Sequence, residues 1–370
     1  MAARQQAPEG HDPIAALRSG LDAHGADGLL ITNPVNIRYL TGFNGHTSAL
    51  LVLPDHAYLV TDGINEEQAH ERKRSSSSRF EVRIAERPSD PEPLASLVRE
   101  RLTRTQQPGG RLGLEADHVT WAHQQRFATS WFPGAALVPT VGVVERLRSV
   151  KDESELATIL RAAEVSLAAL DEAYALLADE PTELEVAQRI VTVLRDCGAE
   201  QASPPIVAGG PNSSRPHHWP TGRRVAAGEP AVLDVAATVD GYCCELSRSR
   251  GGKGSQRLRE IPGIVEAALQ AGVARIKPGA PANEVDDGCR GLIEARGYGP
   301  QFIHAAGRSI GLHLVEEPKL TADSEAILEA RQVFVVEPGI YLPGEGGSRH
   351  SALVLVTEDG HRVLATGERR

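Results

Sequence analysis

Several kinds of segment are absent from this sequence. No stretch is apolar over the length that spans a bilayer, and the polar opening MAARQQAPEGHDP lacks the apolar core of a signal peptide. Only four cysteines occur, none in a Cys-x-x-Cys spacing, which is typical of an intracellular protein with free thiols. These absences predict a cytoplasmic protein that does not act at a membrane.

Excess positive charge and the common catalytic motifs are also missing. The sequence has 39 basic against 49 acidic residues and a net charge of -10, which argues against nucleic acid as a partner. It contains no G-x-S-x-G elbow and no H-E-x-x-H helix, and GGKGS at 251–255 lacks the first glycine of a phosphate-binding loop. Chemistry must therefore come from side chains that the fold brings together.

The length of 370 residues and a hydrophobic content of 41% predict two domains. Residues 1–145 form the first, in which short apolar runs alternate with turn residues over 29–62 and predict strands of a mixed sheet. Helices around 93–104 and 121–130 would cover that sheet. The first domain is therefore expected to be α/β.

Residues 150–370 mix helical and strand patterns and predict an α+β domain. Thr182 and Glu185 form a capping box at the start of one of its helices. The predicted helices lie at about 152–178, 182–198, 263–275 and 283–296, and the predicted strands at 231–249, 309–315, 332–341 and 349–356.

The segment AVLDVAATVDGYCCELSRS predicts a β-hairpin, because the Asp-Gly pair at 240–241 separates two alternating runs. The resulting register places Ala236 opposite Glu245 and Asp234 opposite Ser247. Asp234 and Glu245 then lie on one face as diagonal neighbours, with backbones about 7–8 Å apart, and can share one ion or one proton. The alternative is a pair of acids that face solvent.

Three further residues are candidates for chemistry. Glu337 closes the apolar run QVFVVEP, and a buried acid must be paired, protonated or bound to a ligand. His217 and His218 lie in GGPNSSRPHHWPT, whose Gly, Pro and Asn residues predict a loop of the kind that carries functional histidines. A plain surface histidine is the alternative for one of the two.

Seven segments carry a resemblance to a known family. Two resemble the amino-terminal domain and the start of the catalytic domain of aminopeptidase P and prolidase-like proteins, namely LLITNPVNIRYLTGFNGHTSALLV and VVERLRSVKDESELATILRAAEV. Five resemble the catalytic core, namely IVAGGPNSSRPHHWPT, LDVAATVDGYCCELSRS, FIHAAGRSIGLHLVEEP, VFVVEPGIY and GGSRHSALVLVTEDG. On these grounds the chain is identified as a divergent member of the pita-bread family of prolidases, aminopeptidases P and creatinases. The resemblance implies an α/β amino-terminal domain, an α+β pita-bread domain and a homodimer.

The resemblance also implies a metal site that is altered in this chain. Such enzymes hold two divalent metals with two Asp, one His and two Glu, and the matching positions here are Asp234, Glu245, Arg308, Glu337 and Ser351. A guanidinium has no lone pair to offer a metal, and a serine hydroxyl is neutral where the family has a bridging carboxylate. The family histidine before Glu316 is Val315 in this sequence. A normal two-metal site is therefore not expected.

Arg308 has two interpretations at this stage. It replaces part of the missing metal charge by pairing with Glu337 or Asp234, or it binds a substrate carboxylate through a bidentate fork. His304 and His217 match the family's substrate-side histidines. Creatinase, which resembles the peptidases in fold, works without metal through His and Glu groups on a small guanidino substrate.

The leading hypothesis is a metal-independent enzyme that breaks or rearranges a C–N bond in a small polar substrate. His217, Glu245 and Glu337 would carry the acid–base chemistry, and no cofactor is expected. One alternative is an Xaa-Pro dipeptidase or aminopeptidase with a single Mn or Mg ion on the remaining carboxylates. The other is a binding protein that kept the fold and lost catalysis. The expected substrate contacts are His304, Arg308 and His218.

Overall fold

The computed structural model describes residues 12–87, 90–102 and 110–367. The chain divides into two compact units, Met1–Arg148 and Ser149–Arg370. Within the described ranges, no helix combines the length and the apolar character that crossing a membrane requires.

The first unit is a six-stranded sheet with helices on both faces. Its strands are β1 (Gly28–Ile31), β2 (Ser48–Val52), β3 (Ala57–Asp62), β4 (Glu81–Ala85), β5 (Arg111–Glu115) and β6 (Ala136–Thr140). Its helices are α1 (Pro13–Ser19), α2 (Pro34–Thr41), α3 (Glu66–Ser75), α4 (Glu92–Leu102), α5 (Trp121–Arg126) and α6 (Val143–Ser149). The strand order is β4-β3-β2-β1-β5-β6, with β2 antiparallel to both neighbours and the other pairs parallel. The mixed sheet predicted from residues 29–62 is confirmed.

The central strands of this sheet are apolar on both sides because both faces are covered. Leu29 packs on one face with residues of α1, α2 and α6, whereas Leu30 packs on the other with residues of α4. The predicted helix at 121–130 is α5 followed by a π-helical turn, Phe127–Trp131. The helix predicted at 93–104 is α4, and positions 103–104 of that prediction lie outside the described residues.

The second unit combines four helices with strands in three sheets. The helices are α7 (Glu153–Leu176), α8 (Glu183–Asp196), α9 (Gln256–Val273) and α10 (Asn283–Ala295). The strands are β7 (Gln201–Ala202), β8 (Ile206–Gly209), β9 (Ala231–Val239), β10 (Tyr242–Arg250), β11 (Gly307–Ser309), β12 (Glu316–Leu320), β13 (Val333–Val336), β14 (Gly339–Leu342), β15 (Gly346–Arg349), β16 (Ala352–Val356) and β17 (His361–Thr366).

Two hydrophobic clusters build this unit. The first joins α7 and α8 to the β9–β10 hairpin, and the second joins α9 and α10 to the five-stranded sheet β12-β11-β13-β16-β17. The capping box of Thr182 and Glu185 at the start of α8 is confirmed, and a second box of Asp152 and Glu155 starts α7. The α+β character of the domain is as predicted.

Three of the predicted strands differ from the observed ones. The run 309–315 is a turn between β11 and β12, because the Gly311 carbonyl accepts from Cys243 N at 2.7 Å and His313 N donates to Glu316 Oε1 at 3.1 Å. The run 332–341 is divided into β13 and β14 at Pro338, which has no N–H to donate to a ladder. The predicted strand 349–356 is divided between β15 and β16.

The helix predicted at 263–275 begins earlier, at Gln256. In the structure the Ser255 hydroxyl caps the helix by accepting from Leu258 N at 3.3 Å, and Pro262 lies inside α9. A good N-cap seven positions upstream therefore determined the helix start.

Candidate active site

The hairpin of β9 and β10 presents two carboxylates on one face. Its turn residues Asp240 and Gly241 have φ angles of 45° and 79°, the left-handed conformations that a two-residue hairpin turn requires. The register pairs Ala236 with Glu245 and Asp234 with Ser247, which confirms the predicted alignment.

Glu337 supplies a third carboxylate from the end of β13. Its backbone N donates to the Ala306 carbonyl at 2.7 Å, which fixes the chain as it leaves the sheet. One carboxylate oxygen each of Asp234, Glu245 and Glu337 lies within 4.8 Å of the others. The structure therefore brings together the three acids that the sequence predicted to be neighbours.

The Arg308 guanidinium lies between two of these acids. On β11, it donates through Nη1 to Glu337 and through Nη2 to Glu245, and its Nε donates to the Leu314 carbonyl at 2.8 Å. Only 14% of the Arg308 side chain is exposed. Glu337 is one of the two partners named from the sequence, and the other, Asp234, is not bonded to Arg308 but to a different arginine.

That second arginine is Arg349, at the end of β15. Its Nη2 donates to Asp234 Oδ2 at 2.5 Å, and its Nη1 donates to the Pro216 carbonyl at 3.4 Å. Both Arg349 and Asp234 are buried, with side chains 5% and 4% exposed. Burial alone would lower the pKa of Arg349, but Asp234 and further acids raise it above its ordinary value, so this arginine stays charged. Three carboxylates therefore face two fixed guanidinium charges.

The pKa values of the two acids at Arg308 are shifted in opposite directions. Burial raises the pKa of Glu245 well above its ordinary value, and the charges of Asp234 and Glu337 add to that rise while Arg308 opposes it. Burial also acts to raise the pKa of Glu337, but Arg308 and then Arg349 outweigh it and hold that pKa below its ordinary value. Environments that push the pKa values of two neighbouring carboxyl groups apart in this way are typical of a general acid and a general base.

His304 lies beside this cluster, and the hydrogen-bond partners of its two ring nitrogens determine which nitrogen carries the proton. Its Nδ1 donates to the Ala305 carbonyl at 2.8 Å, because a carbonyl can only accept, and burial lowers the pKa of the ring. The neutral Nε2 then accepts from the Tyr341 hydroxyl at 2.9 Å. Burial raises the pKa of Tyr341 to about 12, so the hydroxyl keeps the proton that it donates.

The two loop histidines have different surroundings. His217 is exposed, and its charge contributes to lowering the pKa of His304, so it lies within electrostatic range of the cluster. His218 is buried, with its Nε2 2.9 Å from Glu183 Oε2. The Nε2 of His218 is thus bonded to the carboxylate of α8, which helps to hold the loop, and the substrate contact of His218 stays a prediction.

Glu183 organises the whole loop that carries His217. Its Oε1 accepts from Gly209 N and Asn212 Nδ2, both at 2.9 Å. Its Oε2 accepts from Thr221 N at 3.0 Å and Thr221 Oγ1 at 2.6 Å, in addition to the His218 contact. Sequence reasoning missed this role, because an acid in the first turn of a helix is ordinary and nothing in the pattern indicates burial.

The donor set does not fit two divalent metals. Ser351 is 1% exposed, and its hydroxyl accepts from Ser247 N at 2.7 Å. The residue that the resemblance aligns with the family's last carboxylate therefore makes a structural hydrogen bond. Arg308, which the resemblance aligns with the family's histidine, already engages Glu245 and Glu337. A second metal at this site would have neither a carboxylate at 351 nor an imidazole at 308.

Comparisons with known proteins agree with the two-unit division. Residues 13–150 match the creatinase/prolidase N-terminal domain, and residues 157–358 match metallopeptidase family M24. The chain is 34% identical over 354 residues to the uncharacterized peptidase YqhT of Bacillus subtilis, covering 95% of this chain and 97% of that protein.

Solved structures with similar folds include an Xaa-Pro dipeptidase and a prolidase. An Xaa-Pro dipeptidase from Bacillus anthracis superposes with a TM-score of 0.87 at 32% identity, covering 95% of this chain and 96% of that one. A prolidase from Pyrococcus furiosus superposes with a TM-score of 0.82 at 28% identity, covering 95% of this chain and 100% of that one. The chain therefore belongs to metallopeptidase family M24. Its pita-bread domain follows a creatinase/prolidase amino-terminal domain in the sequence.

Proposed function

We propose that this protein is an acid–base enzyme of its family that works without a metal and cleaves or rearranges a C–N bond in a small polar substrate. The observation that carries the proposal is the position of Arg308, whose guanidinium bridges Glu245 and Glu337. A cation would have to compete with this fixed charge for the same carboxylate oxygens.

The charges support the same conclusion. In a two-metal site the carboxylates are offset by divalent cations, whereas here Arg308 and Arg349 offset Glu245, Glu337 and Asp234. The charged groups of the protein alone thus bring the net charge of this cluster close to zero. A divalent ion added to it would lie next to two guanidinium groups, which is unfavourable at low dielectric.

The site also retains groups that can move protons. His217 lies on an exposed loop and is the group placed to exchange protons with solvent and substrate. Glu245 and Glu337 share the Arg308 guanidinium, which orients both carboxyl groups toward one point. Both ring nitrogens of His304 are engaged within the protein, Nδ1 by the Ala305 carbonyl and Nε2 by the Tyr341 hydroxyl, so a direct contact with substrate requires one of these hydrogen bonds to open.

Arg308 retains capacity to contact a substrate. A guanidinium has five N–H donors, and the hydrogen bonds to Glu245, Glu337 and Leu314 use three of them. The remaining two N–H groups are one each on Nη1 and Nη2, which is the pair that an end-on bidentate fork uses. A substrate carboxylate, one of the two interpretations of the sequence, is therefore a partner that this arrangement allows.

A second function is favoured by two observations. The oxygens of Asp234, Glu245 and Glu337 lie close enough together to hold one ion, and the similar proteins from Bacillus anthracis and Pyrococcus furiosus are named as an Xaa-Pro dipeptidase and a prolidase. In that case the protein is a dipeptidase with one Mn or Mg ion, and Arg308 must swing away from the acids when the ion binds.

Turnover of Ala-Pro separates the two functions. The full-length protein is prepared free of metal and assayed with Ala-Pro and with creatine, each with and without added manganese and with a chelator. We expect no Ala-Pro cleavage at a prolidase-like rate under any of these conditions. Rapid, manganese-dependent cleavage that the chelator abolishes would overturn the metal-independent proposal and support the dipeptidase.

A further inference from the structure

A cavity of about 320 Å³ lies within the first domain, apart from the candidate active site. Its lining includes Thr32, which follows β1, Asp62 and Ala85, which end β3 and β4, and His118, which follows β5. The cavity therefore opens at the carboxyl ends of four strands. In open α/β sheets this is the edge at which ligands bind, and the volume is in the range of small-molecule sites.

One carboxylate oxygen of a side chain that lines this cavity lacks a partner. Asp62 is 1% exposed, and its Oδ1 accepts from Ile64 N at 3.1 Å and from Asn65 Nδ2 at 3.0 Å. Its Oδ2 is buried and has no hydrogen-bond donor among the residues that the structure describes. Leaving a buried carboxylate oxygen without a donor is costly, so this atom is positioned to accept from a bound group.

The charged residues of the lining favour a bound group with a positive charge. Asp62 and Asp90 are the acids of the described lining, which contains three histidines but neither arginine nor lysine. A ligand anion would find no fixed cation there, whereas a ligand ammonium would find the free oxygen of Asp62. The histidines, His46, His118 and His123, are exposed side chains.

Two aromatic side chains on one side of the cavity favour a ligand with an apolar part. Phe127 and Trp131 both line the cavity, with ring centroids 5.1 Å apart. They are held by the π-helical turn, in which Phe132 N donates to the Phe127 carbonyl at 2.8 Å. Such turns often occur at functional sites, and aromatic faces bind both apolar groups and cations. A water molecule could satisfy Asp62, but it would leave these aromatic side chains and most of the volume unexplained.

We propose that this cavity is a binding site for a small protonated amine with an aromatic or similarly apolar body. The ammonium donates to Asp62 Oδ2, and the apolar body packs against Phe127 and Trp131. The site is separate from the acid and arginine cluster of the second domain, so the proposal does not depend on the reaction catalysed there.

Titration calorimetry with 2-phenylethylamine on the full-length protein tests the proposal. The probes for comparison are 2-phenylethanol, which is neutral, and 3-phenylpropionate, which is an anion with the same ring. We expect saturable binding of the amine, at least tenfold weaker binding of the alcohol and no binding of the anion. Equal binding of amine and alcohol, or no binding of the amine, would overturn the proposal.

Three variants complete the test. Asp62→Asn keeps the oxygen that accepts from the turn and should weaken amine binding at least tenfold, whereas Asp55→Asn, an exposed acid in the same domain, should leave it unchanged. Ala49→Leu fills the cavity from β2 without touching the hydrogen bonds of Asp62, and should abolish binding. Amine binding that survives Ala49→Leu in a folded protein contradicts the assignment, even if Asp62→Asn does not fold.

Discussion

Arg308 and Glu337 form an ion pair in which only 14% and 12% of the two side chains are exposed. They extend from β11 and from the end of the neighbouring strand β13, so the sheet itself sets their separation. The same guanidinium also holds Glu245. A positive charge that is part of the fold thus lies where the family's resemblance predicts a metal ligand.

Removal of this charge should destabilise the protein. In Arg308→Ala, Glu245 and Glu337 are left buried without their shared cation, and breaking a buried ion pair on one side costs about 3–5 kcal/mol. Urea unfolding followed by circular dichroism measures the loss. Arg161→Ala, which removes an exposed pair with Asp240, should change stability by less than about 1 kcal/mol. Equal effects of the two substitutions would contradict the structural role of Arg308.

The Glu155 carboxyl should give the stability a measurable pH dependence. Burial raises its pKa to about 7, although hydrogen bonds from Asp152 N and Tyr242 act to lower it. The folded state therefore holds a proton that the unfolded state releases above about pH 4.5. The corresponding stability is present at acidic pH and is lost as pH rises through about 7.

Substitution by glutamine isolates this effect. Between pH 4.5 and 7.5 the wild type should lose about 3 kcal/mol of unfolding free energy relative to Glu155→Gln, since one pKa unit corresponds to about 1.4 kcal/mol. Urea unfolding at a series of pH values measures the difference. Glu153→Gln, with a neighbouring acid that is 78% exposed, serves as the control and should keep the wild-type slope. A slope unchanged in Glu155→Gln would show that the buried carboxyl does not titrate in this range.

The loop that carries His217 should depend on Glu183. In Glu183→Ala, Gly209 N, Asn212 and Thr221 lose a common acceptor, and each buried donor left unsatisfied costs about 1–3 kcal/mol. We expect a loss of at least about 3 kcal/mol in urea unfolding and faster proteolysis within residues 210–221. Glu164→Ala, at an exposed position of α7, is the matched control. Resistance of the loop to protease in Glu183→Ala would contradict this account.

The hairpin shows how much of the site the sequence could predict. The Asp-Gly turn and the period-two pattern determine the register, so the common face of Asp234 and Glu245 followed from local information alone. The approach of Glu337 and Arg308 did not follow from local pattern, and it was expected only because the family resemblance aligns those positions.

Two long-range pairs could not be predicted in this way. Arg349 and Asp234 are 115 residues apart in the chain, and no local pattern links a charged residue in β15 to an acid in β9. The apolar run ALVLV that begins three residues after Arg349 was the available sign that this segment enters the core. Glu183 and His218 were missed because burial of a first-turn acid depends on where the following loop returns.

We predict that the protein is a homodimer, as its resemblance to prolidases implies. Trp219, Ile303 and Val315 are apolar side chains exposed by 72%, 64% and 53%, and each lies within two residues of His217, His304 or Leu314. Exposed apolar residues that form one patch mark a contact surface, and the dimer prediction requires these three to do so. Sedimentation at micromolar concentration should give a dimer, which Trp219→Ser weakens. A monomeric wild type would contradict this prediction.

We propose that Arg308 and Ser351 together exclude the family's two-metal site. Manganese titration by calorimetry, on wild type and on the double variant Arg308→His with Ser351→Glu, tests it most directly. The variant regains an imidazole and a carboxylate, which are the ligands that the wild type lacks. We expect no stoichiometric manganese binding to the wild type and at least tenfold tighter manganese binding to the folded variant. Two manganese ions bound tightly by the wild type, or a folded variant that binds no better, would contradict this proposal.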